Sequence, residues 1–182
     1  KTLGYRSRSA FKLIELNKKY RFIKRNNKLL DIGACPGGWS QVSSKIISSG
    51  KILSIDIKKM DELKNVSFLQ CDFLQESTKE KILNFFGEEL DVVLSDMAAD
   101  TTGNKSLDCI RTNKLCADVV EFSSKILKPN GILVSKLFMG DDFLEVKELA
   151  KSKFKKVEFF KPEASRSESK ETYIHCAILK TL

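Results

Sequence analysis

The chain has 182 residues, a length that fits one ordinary domain able to bury its core without disulfides or metal. Hydrophobic residues make up 42% and charged residues 31%, a balance that argues against a disordered chain, and no apolar run is long enough to span a membrane. We therefore expect a single domain over residues 1–182, a monomer without membrane association, with a net charge of +8 that favours anionic partners.

The first predicted element is a helix over about residues 8–20, where serines suited to an N-cap precede good helix formers. It lies in a basic block, because residues 1–25 hold nine basic residues and one acidic residue. The rest of the chain holds equal numbers of both. Such a block is typical either of a solvated helix face or of a surface that binds nucleic-acid phosphates, and charge alone leaves both open.

After this block, short apolar runs alternate with helical segments. Strands are predicted over 28–33, 51–57, 66–72, 90–96 and 131–138. Helices are predicted near 38–48, over 77–86 with a capping box formed by Ser77 and Glu80, over about 107–127 closing at Pro129–Asn130–Gly131, and over 141–154. Two last strands, 156–160 and 172–179, have no helix between them and are predicted to form an antiparallel hairpin.

This alternation predicts a doubly wound, Rossmann-like α/β fold, in which helices cover both faces of a mostly parallel sheet. Ligands of such folds bind beyond the carboxyl ends of the strands. The residues that follow the strands are therefore the candidates for a functional site.

Three glycines, Gly33, Gly37 and Gly38, lie between the first strand and its helix, where they allow a ligand to approach the backbone. A dinucleotide fingerprint would need glycine at Cys35, and no Walker lysine follows the glycines. The segment therefore favours a ligand without phosphates.

Two acids, Asp56 and Asp72, end the second and third strands, where carboxylates can accept hydrogen bonds from ribose hydroxyls or an adenine amino group. A lone aspartate after a strand is more often a turn or a helix cap. Together with the glycine segment, the two acids favour a positively charged sulfonium nucleoside.

Charged residues also lie within or at the ends of three later predicted strands. Asp96 follows an apolar strand, Lys136 lies within one, and Glu171 begins the last. A buried ammonium is costly unless it is paired or reaches a cleft, and desolvation can lower its pKa enough to make it a general base. The alternative for Lys136 is a lysine that extends from the strand end into solvent.

The five cysteines contain no Cys-x-x-Cys pair, and the chain has a single histidine, His175. This pattern argues against a zinc site, so we expect no metal. It favours small buried thiols in a reducing compartment, and leaves open whether that is the cytoplasm, the nucleus or nucleolus, or an organelle such as the mitochondrion.

Six segments occur in the order that is typical of one family: YRSRSAFKL, LDIGACPGGWSQ, DFL, LSDMA, KPNGILVSKLF and SRSESKETYI. On these segments the chain resembles the FtsJ/RrmJ-type RNA ribose 2′-O-methyltransferases. The resemblance implies a seven-stranded sheet whose last, antiparallel strand is inserted between the fifth and sixth. It also implies S-adenosylmethionine as cofactor, with contacts at Gly37, Trp39, Asp56, Asp72 and Asp96.

A catalytic tetrad is further implied, formed by Lys12, Asp96, Lys136 and Glu171. In this interpretation Lys136 removes or steers the proton of the 2′-hydroxyl, with its pKa lowered by Lys12. Asp96 holds Lys136 near the sulfonium, and Glu171 positions the lysines or the ribose. A reaction at the 2′-hydroxyl favours RNA over DNA.

The resemblance also gives the basic block a role. Lys12 of the implied tetrad lies in this block, and so do Arg6 and Arg8, which precede Lys12 in the chain. We expect these three residues to bind RNA. The favoured substrate is a uridine of large-subunit ribosomal RNA, within the large subunit, although Ala99–Asp100 departs from the pattern of that branch. The alternatives are a tRNA ribose methyltransferase and a catalytically silent RNA- or cofactor-binding module.

Overall fold

The computed structural model describes residues 3–181. Lys1 of the basic block lies outside the described residues, as do the two ends of the predicted domain 1–182. Strands in the described part are β1 (Lys28–Ile32), β2 (Lys51–Asp56), β3 (Ser67–Gln70), β4 (Leu90–Ser95), β5 (Leu127–Phe138), β6 (Phe154–Phe160) and β7 (Glu171–Leu179). The helices there are α1 (Ser9–Tyr20), α2 (Gly38–Ile46), α3 (Glu76–Phe86), α4 (Lys105–Ile126) and α5 (Phe143–Lys153).

The strands form one sheet in the order β3-β2-β1-β4-β5-β7-β6. Strands β1 to β5 are parallel, whereas β7 is antiparallel to both β5 and β6. The predicted fold, the terminal hairpin and the inserted antiparallel strand are confirmed. Because the chain passes from β1 to β2 on one side and places β4 on the other, a crevice opens at the carboxyl ends of β1 and β4.

Helices cover both faces of the sheet, which explains why its strands are continuous apolar runs. Leu29 belongs to a core cluster that includes residues of α1 and α2, whereas the next residue, Leu30, belongs to one that includes residues of α3, α4 and α5. Both are fully buried. Among the described residues, no helix is long and apolar enough to cross a membrane.

The predicted capping box of α3 is wrong. The helix begins at Glu76 after Gln75, whose side chain makes no capping hydrogen bond, so Ser77 lies inside the first turn. The turn before the helix is held instead by Asp72, whose Oδ1 accepts a hydrogen bond from the Leu74 amide at 2.9 Å.

The predicted start of β5 at residue 131 is also wrong, whereas α4 ends within one residue of its predicted end. The helix ends at Ile126, and β5 begins at once, with Leu127 beside Leu90 of β4. The next regular pair is Ile132 with Val92, so residues 128–131 bulge out of the ladder opposite a single residue of β4. That residue, Asp91, binds Lys128 at 2.9 Å, which holds the bulge in place.

Candidate active site

The structure brings together the four residues proposed as a tetrad, although their catalytic role stays a prediction. Lys12 projects from α1, Asp96 follows β4, Lys136 lies in β5, and Glu171 begins β7. Lys12 Nζ lies 2.5 Å from Glu171 Oε1, and Lys136 Nζ lies 3.3 Å from Asp96 Oδ1 and 3.7 Å from Glu171 Oε2. The side chains of all four are only 12% to 16% exposed, so this cluster is shielded from solvent but not sealed.

Tyr173 completes the cluster, and sequence reasoning missed it. Its hydroxyl lies 2.7 Å from Asp96 Oδ1 and 3.0 Å from Glu171 Oε1, so its single proton bridges two carboxylates. Burial and these two negative charges raise the pKa of Tyr173 well above its usual value, which keeps it a donor. The signal was present, because Tyr173 lies two residues after Glu171 and therefore on the same face of the strand.

Asp96 receives a further hydrogen bond from α1. Ser9 Oγ donates to Asp96 Oδ2 at 2.5 Å. Together with the salt bridge from Lys12 to Glu171, this contact fixes the amino end of α1 over the sheet. The helix is thus part of the site and not only its cover.

The pKa of Lys136 is raised, which contradicts the expectation that Lys12 lowers it. Burial by itself lowers the pKa, but the charges of Asp96 and Glu171 and their hydrogen bonds outweigh burial. Lys12 is not among the causes of this shift, and it lies against Glu171. Burial would raise the pKa of Glu171, yet Lys136 and Lys12 together lower it. In the resting site, Lys136 is an ammonium and Glu171 a carboxylate.

A cleft of about 610 Å³ adjoins this cluster at the carboxyl ends of the strands. Four of the residues proposed for cofactor binding line it: Gly33, Asp56, Asp72 and Asp96. Its opposite wall is formed by residues 97–100 and by α4. Asp96 belongs to both the cleft and the tetrad, so the two sites meet at its carboxylate.

The cleft acids also hold turns, as the alternative interpretation proposed. Asp56 Oδ2 accepts a hydrogen bond from the Cys35 amide at 2.9 Å, and Oδ1 accepts one from the Lys58 amide at 2.8 Å. Asp72 uses only Oδ1 in this way among the described contacts. These hydrogen bonds fix both carboxylates at the cleft, so turn formation and ligand binding are compatible.

Gly33 is required by its surroundings. Its φ of 71° lies in the left-handed region, and a Cβ there would lie 2.5 Å from Met97 Cγ. Any side chain would therefore displace the opposite wall of the cleft.

Gly37, Gly38 and Trp39 do not line the cleft; they contact the segment that leads into α1. A Cβ on Gly38 would collide with Ser7 Oγ, and Trp39 Nε1 donates to the Ser9 carbonyl at 2.8 Å. The indole is only 3% exposed, so its side chain is structural. A cofactor contact at these three positions stays a prediction for their backbone alone.

Asp31, which sequence reasoning did not single out, is fully buried beneath the glycine segment. Its Oδ2 accepts a hydrogen bond from Ser40 Oγ at 2.7 Å, and its Oδ1 has no partner among the described residues. Burial raises its pKa to about 7, the Ser40 hydrogen bond opposes this, and the charges of Asp96 and Asp56 add to it. A titratable acid therefore lies directly below the cleft.

Arg6 has a structural role within the protein, and the expectation that it binds RNA stays a prediction. Its guanidinium donates to the carbonyl oxygens of Pro36, Asp61 and Glu62 at 3.2, 2.7 and 2.8 Å, so it anchors the N-terminal segment. The side chain of Arg8 is exposed and available. Lys12 forms a salt bridge with Glu171.

The connection between β6 and β7 is clamped to α1. Both carboxylate oxygens of Glu15 accept backbone hydrogen bonds, from Glu163 at 2.6 Å and from Ala164 at 2.9 Å. Ser165 follows and is buried, with its Oγ 3.4 Å from Glu171 Oε1. The clamp therefore holds one rim of the tetrad in place.

All five cysteines are free. Over residues 3–181, no group of three or more His, Cys, Asp or Glu side chains is arranged to hold a metal ion.

Comparisons with known proteins agree with this geometry. The model of the family described as FtsJ-like methyltransferase matches residues 5–179. The chain is 45% identical over 177 residues to the Ribosomal RNA large subunit methyltransferase E of Pelagibacter ubique, covering 97% of this chain and 87% of that protein.

Solved structures show the same fold. A Plasmodium falciparum structure assigned as a ribosomal RNA methyltransferase superposes with a TM-score of 0.85 at 31% identity, covering 96% of this chain and 98% of that one. Human Methyltransferase-like protein 13, solved with SAH, superposes with a TM-score of 0.64 at 16% identity, over 93% of this chain and 79% of that one.

Proposed function

The chain belongs to the FtsJ-like methyltransferase family, and we propose that it transfers a methyl group from S-adenosylmethionine to a ribose 2′-hydroxyl of large-subunit ribosomal RNA. The observation that carries this proposal is the position of Asp96, which lines the cleft and also binds Lys136. A methyl donor in the cleft and a hydroxyl at the lysine would meet there.

The residues of the cleft fit S-adenosylmethionine. Five carboxylates and three basic side chains line it, and the loop after β1 carries no Walker lysine for phosphates. The carboxylates are those of Asp56, Asp72, Asp96, Asp100 and Asp118, and the basic residues are Lys58, Arg111 and Lys114. When bound, the cofactor would supply a methyl group on a positively charged sulfur. Asp56 and Asp72 would hold the nucleoside, and Asp96 would favour the positive charge.

Lys136 would align the acceptor. As an ammonium held by Asp96 and Glu171, it can donate a hydrogen bond to the 2′-hydroxyl oxygen and turn a lone pair toward the methyl group. Orientation of this kind contributes several kcal/mol to a barrier. To act as the base that removes the hydroxyl proton, Lys136 must first lose its own proton. Orientation is therefore the role that its raised pKa favours. In that case, as the carbon–oxygen bond forms and the carbon–sulfur bond breaks, the hydroxyl proton would pass to the Asp96 carboxylate or to water.

S-adenosylmethionine is expected to raise the melting temperature, and NAD is not. A ligand at about a hundred times its Kd stabilises the fold by about 2.7 kcal/mol. The loop after β1 has neither the dinucleotide fingerprint nor a Walker lysine, so the pyrophosphate of NAD has no partner loop. Differential scanning fluorimetry with each ligand measures this, and equal stabilisation by NAD would favour a dinucleotide site instead.

Arg8→Ala is expected to weaken RNA binding and to reduce the slope of log affinity against log salt by about one, because one phosphate contact is lost. Arg6→Ala is the matched control. Since Arg6 donates to three carbonyls, its loss should lower thermal stability and leave the salt slope unchanged. Filter binding between 50 and 200 mM salt measures both slopes. If only Arg6→Ala flattens the slope, the assignments of the two arginines are reversed.

The substrate is tested by incubating the protein with labelled cofactor and, separately, with large ribosomal subunits lacking the modification, small subunits and tRNA. We expect label in the large-subunit RNA alone. Label in tRNA would show that the proposed substrate is wrong, whereas the proposed methyl transfer would stand. The departure at Ala99–Asp100, which lines the cleft, makes this comparison necessary. Failure to label any RNA would favour a silent binding module.

A further inference from the structure

Phe138 borders the tetrad at the end of β5. It is the last residue of β5 and lies two residues after Lys136, so both side chains point from the same face of the strand. The register places Phe138 opposite Glu171, as it places Lys136 opposite Tyr173. Directly opposite side chains in an antiparallel pair are neighbours, with Cβ atoms about 4.5–5.5 Å apart.

The ring of Phe138 does not serve the core. Within the part of the chain that the structure describes, it belongs to neither core cluster and pairs with no other aromatic ring. Phe159 and Phe160 of β6 do pack against those clusters. Phe138 is half-buried, so part of its surface is exposed, and its register partner is Glu171 of the tetrad.

The backbone of Phe138 is nevertheless held firmly. The fully buried Asn113 of α4 accepts a hydrogen bond from the Phe138 amide at 2.7 Å and donates one to its carbonyl at 2.9 Å. The side-chain amide of Asn113 also donates to Asp142 Oδ1 at 2.8 Å. Because the side chain of Asn113 binds both the N–H and the C=O of Phe138, it fixes the backbone there and with it the direction in which the Phe138 side chain leaves the strand. This arrangement suits a preformed contact surface.

We infer that Phe138 is a platform on which the base of the target nucleotide stacks, an inference that rests on the proposed function. The base and the 2′-hydroxyl belong to one nucleotide, so a hydroxyl held at Lys136 brings its base near the neighbouring residues. Every base has a π-face, and an aromatic ring binds it without reading hydrogen bonds. Stacking would hold the nucleotide after it leaves its own helix and would keep the ribose at the tetrad.

Two variants distinguish an effect of the aromatic ring of Phe138 from an effect of the volume of its side chain. Phe138→Leu keeps an apolar side chain of similar volume and removes the ring, whereas Phe138→Tyr keeps the ring. We expect Phe138→Leu to raise the KM for the RNA substrate about tenfold to a hundredfold, with the affinity for S-adenosylmethionine unchanged, and Phe138→Tyr to remain near the wild type. Met139→Ala is the matched control, because Met139 is 48% exposed and follows on the opposite face.

Two results would overturn the platform. One is an unchanged KM in Phe138→Leu while the wild type methylates ribose, which leaves the proposed function standing. The other is an equal loss in Phe138→Leu and Phe138→Tyr, which would mean that fit alone matters. If the wild-type protein methylates no RNA, the proposed function fails first and the platform with it. Ultraviolet cross-linking of the wild type to large subunits should in addition label the peptide that contains Phe138, and a label-free peptide contradicts the inference.

Discussion

Replacing Lys136 with alanine is expected to lower the rate of methyl transfer by about 10²- to 10⁴-fold, the range for loss of a group that moves or steers a proton. The affinity for S-adenosylmethionine should change little, because Lys136 does not line the cleft. Single-turnover kinetics give the rate, and calorimetric titration gives the affinity. Substantial residual transfer would remove Lys136 from the mechanism.

Lys128→Ala is the matched control for this variant. Lys128 lies in the same strand and also pairs with an aspartate of β4, Asp91, but at the opposite end of the sheet. Its loss should leave the transfer rate unchanged. A comparable fall in both variants would mean that damage to the sheet, and not lost chemistry, explains the result.

Lys136→Arg and the pH profile distinguish orientation from proton removal. Arginine keeps a charged donor but does not deprotonate, so partial activity supports orientation and loss equal to that of alanine supports a base. If neutral Lys136 is the reactive form, the rate should rise about tenfold per pH unit to beyond pH 9, because its pKa is raised above 10.5. A rate that is flat from about pH 7 supports the oriented ammonium.

Asp96→Asn is expected to lower both the rate of transfer and the affinity for the cofactor, unlike Lys136→Ala. The carboxylate binds Lys136, Tyr173 and Ser9 and also lines the cleft. Removing the charge from one partner of a shielded, hydrogen-bonded pair costs several kcal/mol, because the lysine loses its partner. We expect at least a hundredfold loss of rate and about tenfold weaker cofactor binding, by the same two methods.

Asp91→Asn serves as its control, since it breaks the equivalent pair with Lys128 away from the site. It should affect neither quantity. If Asp96→Asn binds the cofactor as tightly as the wild type, the methyl donor does not reach Asp96, and the proposed meeting point of donor and acceptor is wrong.

The fold could be read from the sequence because each strand and helix carries a strong local pattern. The two wrong boundaries both lie where tertiary contacts override that pattern. At the start of β5, Pro129–Asn130–Gly131 suggests the end of a helix, yet pairing of Leu127 with Leu90 begins the strand earlier and forces these residues into a bulge. At α3, Ser77 suggests a cap, but the turn held by Asp72 starts the helix one residue sooner.

The four tetrad residues could be predicted to come together, but Tyr173 was missed and the electrostatics of the cluster could not be predicted. Lys12, Asp96, Lys136 and Glu171 come together through strand order and α1, which sequence motifs encode. The pKa of Lys136 depends on the distances between the two lysines and the two carboxylates. The sequence does not show that Glu171 lies against both Lys12 and Lys136. In the same way, sequence shows the charge of Arg6 but not the three carbonyl oxygens that engage it.

The position of the transferred methyl group tests the central claim most directly. Large subunits lacking the modification are incubated with labelled S-adenosylmethionine and either the wild type or Lys136→Ala, and the RNA is digested to nucleosides for mass spectrometry. In an incubation just long enough for the wild type to label its site once, we predict one labelled 2′-O-methyl nucleoside with the wild type and about a hundredfold less of it, or lower still, with Lys136→Ala. Label on a base, or equal ribose label with both proteins, would contradict the proposed function of this site.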